Sequence, residues 1–102
     1  MAESLTCVYK AKDGKILINT DMDEWFQATC RVLKCDHLHK DARFKAAVDR
    51  QAPSWDEDGK ETSPMGKNFP ALHAELQKVV ASLARGDLEK KLTKVDVPAM
   101  KL

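Results

Sequence analysis

Asp13-Gly14 stands between two short runs of alternating polarity, residues 5–11 and 15–19. A two-residue type I′ turn needs positive φ at both central positions, and Asp-Gly suits that requirement. With Lys12 opposite Lys15, the register pairs Ala11 with Ile16, Tyr9 with Ile18 and Cys7 with Thr20. Side chains alternate across a strand, so Cys7, Tyr9, Ala11, Ile16 and Ile18 share one face. A two-stranded hairpin is only marginally stable alone. A chain that opens this way must therefore lay that face on another element.

The following residues supply the surface. Asp21 with Glu24 three positions on resembles a capping box. Met22, Phe26, Thr29 and Leu33 recur at helical spacing, which predicts a helix over about 22–34. A corner at 35–40 leads to a second expected helix over 41–51, with Leu38, Ala42, Phe44, Ala47 and Val48 as its inward candidates. Two prolines, two glycines and an acidic run make 52–68 an acidic loop. Phe69, Leu72, Leu76, Val79, Val80 and Leu83 form an apolar stripe over 69–85, with Pro70 in the first turn and Gly86 as its stop. A shorter helix is expected over 88–94, then a loose tail over 96–102. The predicted fold is α+β: an N-terminal β-hairpin at 5–19 packed on three to four α-helices in a single small domain, 1–102.

A chain of 102 residues can bury one modest core. An apolar fraction of 43% beside 32% charged residues reads as globular rather than disordered. The net charge of +1 provides no global field for DNA or an anionic membrane. No apolar run approaches the roughly 20 residues that a spanning helix requires. The opening residues lack the basic and apolar regions of a secretory signal. Three cysteines in such a context read as reduced thiols in the cytoplasm.

The densest chemical signal is Cys30, Cys35, His37 and His39 within ten residues. Cysteine and histidine are the usual zinc ligands, but Cys-x4-Cys-x-His-x-His matches no standard zinc signature. The plainer reading is that Cys30 packs as a small hydrophobe and the histidines decorate a corner. Neither a metal nor another cofactor is expected. No Cys-x-x-Cys motif, no Gly-rich phosphate cradle and no complete calcium loop is present.

Six basic residues, Arg31, Lys34, Lys40, Arg43, Lys45 and Arg50, span the expected helix–corner–helix, with Asp36, Asp41 and Asp49 interrupting them. They are the one candidate footprint for an anionic partner. Residues 25–33 resemble a segment of viral Bro-type antirepressor N-terminal domains, without a diagnostic motif, and no family is assigned on them. Trp55, in the acidic loop, either folds back on the core or serves a partner. The leading expectation is a small non-catalytic binding or regulatory protein acting through protein–protein contacts, with Trp55 and the basic segment as its contact surfaces. A nucleic-acid-binding regulator using residues 31–50 is the alternative. A metal- or thiol-dependent site at Cys30, Cys35, His37 and His39 is the second. A surplus apolar face on 69–83 would form a homodimer.

Overall fold

The alternation of the opening strands is realised in a three-stranded antiparallel sheet. The computed structural model describes residues 7–102, so the expected strand positions Leu5 and Thr6 lie outside the described residues. Strands β1 (Val8–Ala11) and β2 (Gly14–Ile18) form the hairpin, and β5 (Ala99–Lys101) pairs with the other edge of β2. The turn is Lys12-Asp13, with Tyr9 opposite Ile16 and Ala11 opposite Gly14. This register differs by two residues from the expected one. A shift of two preserves the faces, so Tyr9, Ile16 and Ile18 are still buried together. Long-range ties fix the turn: the Lys12 N–H donates to the Leu83 carbonyl at 3.0 Å, and the Arg85 N–H donates to Asp13 Oδ1 at 2.9 Å.

Helix α1 (Asp23–Val32) carries Asp23 and Glu24 in its first turn, where they oppose the helix dipole, and buries Phe26, Thr29 and Cys30. Met22 holds the N-cap position. The Asp21 carboxylate, expected as the cap, instead accepts from the Ala52 N–H at 3.2 Å. At the other end Lys34 adopts φ +58, and the Cys35 N–H donates to the Cys30 carbonyl at 2.8 Å. This is a Schellman closure with lysine where glycine is preferred. Lys34→Gly should raise the unfolding free energy by about 0.5–1 kcal/mol, because it relieves the left-handed strain but frees the unfolded chain. Urea denaturation at constant m-value would measure the gain.

The helix expected over 41–51 is not continuous. The chain forms α2 (Asp36–His39), a 3-10 turn (Ala42–Phe44) and α3 (Ala47–Arg50). Asp41 caps the 3-10 turn, and Ala46 is extended at ψ 128, which breaks the helical run. Leu38 and Phe44 are buried, whereas Ala42, Ala47 and Val48 face solvent, Val48 at 66% exposure. The break turns Arg50 inward instead.

The acidic loop is partly ordered as a ribbon of β3 (Ser54–Trp55) and β4 (Glu61–Ser63). Asp56 organises its tip by accepting from the Asp58 and Lys60 N–H groups, and Gly59 there takes φ +82. Helix α4 (Phe69–Val80) buries Phe69, Leu72, Leu76 and Val80, and α5 (Arg85–Lys94) buries Leu88 and Leu92. Gly86 lies within the first turn of α5 rather than ending α4. The tail read as loose is the third strand: Ile16, Leu17 and Ile18 pair with Lys101, Met100 and Ala99, and Glu89 accepts from the Lys101 N–H at 2.8 Å. The protein is α+β, with five helices around the sheet among the described residues. No helix among them is long and apolar enough to cross a membrane.

Candidate functional site

Asp23 and Phe26, one helical turn apart on α1, share a face and form one wall of a cleft of about 280 Å³. His39, the last residue of α2, and Lys40 beyond it form another wall, and Phe44, Lys45 and Arg50 close it. Arg50 is 1% exposed, which is unusual for a charged side chain without strong compensation. Nε donates to the Thr20 carbonyl at 3.3 Å, and Nη1 to the Phe44 and Lys45 carbonyls at 2.8 and 3.2 Å. Nη2 donates to the Asp21 carbonyl at 3.3 Å and to Asp23 Oδ1 at 2.6 Å. These contacts engage all five guanidinium N–H groups. The guanidinium also lies 4.6 Å from the centroid of the Phe26 ring, a cation–π arrangement.

With Arg50 committed to the fold, Lys40 and Lys45 are the cations left at the cleft. Both are exposed, and neither makes an ion pair among the described residues. His39 is half-buried beside them, its ring 5.9 Å from that of Phe26. Two unpaired ammonium groups beside an imidazole, on an apolar floor, can hold an anion.

The other basic residues do not join this site. Arg31 and Lys34 are exposed near the end of α1, where Lys34 borders a second groove of about 210 Å³ with Val79, Leu83 and Leu88. The stripe expected to offer a surplus face is thus mostly spent on the core. Arg43 Nη2 donates to the Asp41 carboxylate at 2.9 Å, and that guanidinium holds the Asp41 carboxyl below the usual range. Arg50 lies under the surface, so residues 31–50 present no single basic face. Trp55 is 38% exposed on β3.

The cysteine and histidine cluster separates. Cys30 and Cys35 are buried near one another, His37 is exposed, and His39 belongs to the cleft. Among the described residues no three His, Cys, Asp or Glu side chains gather to hold a metal. Sequence reasoning missed Asp23 and Phe26 as walls of the cleft, because Asp23 reads as a dipole partner and Phe26 as core. His73 is engaged with the hairpin: its ring stacks on Tyr9 at 4.4 Å and its Nε2 meets the Val8 carbonyl at 2.8 Å.

In the comparison with solved structures, the fold recurs in Rv3272 from M. tuberculosis, known from an orthorhombic crystal form. The TM-score is 0.74 at 21% identity, over 94% of this chain and 23% of that one. That likeness carries the fold, and this chain spans about a quarter of that neighbour's length. The sequence model of CoA-transferase family III matches residues 2–102, and the chain belongs to that family. No curated protein matches the chain. Membership in a family of enzymes overturns the reading as a non-catalytic regulatory protein acting through protein contacts. With it go the nucleic-acid-binding regulator and the metal- or thiol-dependent site as alternative functions. The sequence carries no Cys-x-x-Cys motif, Gly-rich phosphate cradle or complete calcium loop that would signal catalysis.

Proposed function

We propose that this chain is a domain of an enzyme that transfers coenzyme A, and that the cleft at His39, Lys40 and Lys45 takes phosphate groups of that cofactor. The family match over residues 2–102 carries the reading. The cleft suits it on chemical grounds. Coenzyme A bears a diphosphate and a 3′-phosphate, and lysine ammonium groups are strong point-charge partners for phosphate. Cytoplasmic residence fits three free thiols.

Calorimetric titration of the purified chain with coenzyme A and with its dephospho form tests this. Binding should weaken with added salt, as expected for exposed charges. Lys40→Gln together with Lys45→Gln should weaken it about tenfold or more, the effect of losing roughly 1.4 kcal/mol of charged contact. Absence of binding at low salt, or equal binding by the double variant, would refute the assignment.

A further inference from the structure

We propose that Cys30 and Cys35 are a reversible redox pair that closes to an intramolecular disulfide when the folded protein meets a small peroxide. The inference concerns a modification of the chain, not a thiol-dependent activity, and does not depend on the cofactor assignment. Cys30 occupies the third-from-last position of α1, and Cys35 follows the left-handed Lys34. The Cys35 N–H donates to the Cys30 carbonyl at 2.8 Å, which closes the Schellman motif. That motif brings the side chains at these two positions into contact. Both sit in the same core cluster, Cys30 at 0% and Cys35 at 2% exposure.

The two thiols are not equivalent. The interaction between them, a weak sulfur-to-sulfur hydrogen bond, pulls the Cys35 thiol down against the opposing effect of burial. The same interaction, followed by burial, pushes Cys30 up. That asymmetry favours Cys35 as the attacking thiol and Cys30 as the resolving one. Cys35 is buried between exposed Lys34 and exposed Asp36, so a peroxide reaches it when the corner that follows α1 opens locally. In the first step the Cys35 thiolate attacks one peroxide oxygen, the O–O bond breaks, and hydroxide leaves with a sulfenic acid formed. In the second the Cys30 sulfur attacks the sulfenic sulfur, the S–O bond breaks, and its thiol proton leaves with the oxygen as water. Overall, two thiols and hydrogen peroxide give one disulfide and two waters. Cys7, the third thiol, lies on the hairpin side and takes no part.

The test treats folded protein with hydrogen peroxide, then alkylates it under denaturing conditions and digests it with trypsin. Arg31 and Lys34 separate the two cysteines, so their peptides stay joined only through a disulfide. Two of the three thiols should disappear, with a mass lower by two hydrogens and full recovery on reduction. Cys7→Ser should behave alike. In Cys30→Ser, Cys35 should stop at a sulfenic acid that dimedone captures. Retention of all three thiols would overturn the proposal. So would conversion of Cys35 to a sulfinic acid with Cys30 free, or disulfides formed through Cys7.

Discussion

Arg50→Met should lower the unfolding free energy by about 3 kcal/mol or more, because each buried carbonyl left without its donor costs about 1–3 kcal/mol. The substitution nearly preserves volume, so packing is not what it tests. It strips hydrogen bonds from the carbonyls of Thr20, Asp21, Phe44 and Lys45, and it removes the ion-pair partner of Asp23. Those carbonyls join the start of α1 to the 3-10 turn, so the cleft should lose its shape along with the stability. Lysine should not rescue the site. Its three donors radiate from one atom and cannot reproduce a planar fork stacked over Phe26. Guanidinium melts of the two variants would check both statements. Arg31→Gln, which changes an exposed cation of the same segment, should stay within about 0.5 kcal/mol of the parent. Equal losses at positions 31 and 50 would contradict the structural role given to Arg50.

Gly66→Ala should produce the other large loss, about 3 kcal/mol or more, at the upper end of overpacking effects. A Cβ at this position would run into the Asp49 carbonyl oxygen, and it would stand 2.5 Å from the Asp49 carbonyl carbon and from the Val48 oxygen. None of these is the end of a flexible side chain, so relief requires the backbone of α3 to move. Gly66 is also pinned, because its N–H donates to the Gln51 carbonyl at 2.8 Å. The displacement would reach Arg50 through α3. Gly59→Ala makes a useful contrast, since a Cβ there meets nothing within 4 Å and only its positive φ of 82 opposes the change. Thermal unfolding followed by far-UV circular dichroism should rank position 66 well below position 59.

Periodicity made the outline of the fold legible. The hairpin face of Tyr9, Ile16 and Ile18 and the stripe of Phe69, Leu72, Leu76 and Val80 both follow from spacing, and both are buried. What spacing could not reveal is what long-range pairing decides. Ala99–Lys101 has no strong strand character, and it becomes a strand because β2 offers an open edge. The expected helix over 41–51 breaks at the extended Ala46, and Arg50 then satisfies the carbonyls of Phe44 and Lys45 in its own segment together with those of Thr20 and Asp21 ahead of α1. Val48 therefore faces water, although its residue type suggested the core. The site is hidden for a related reason. Six cations in one segment look alike in sequence, and the fold then assigns them different roles. Arg43 is folded onto Asp41, Arg50 is buried, and Lys40 and Lys45 remain free at the cleft. Membership in a coenzyme A transferase family was not legible because the family does not announce itself here by any short reactive motif.

The middle position of β2 has a consequence for the order in which the molecule assembles. Its second neighbour in the sheet is separated from it by almost the whole described chain, so one edge of the ribbon must wait uncovered while every helix is made. Contacts of such high sequence separation are slow to close. During vectorial synthesis the exposed edge at Ile16–Ile18 is the segment most open to mispairing with other nascent chains. Final docking of residues 99–101 should therefore be the late, rate-limiting event on the folding path.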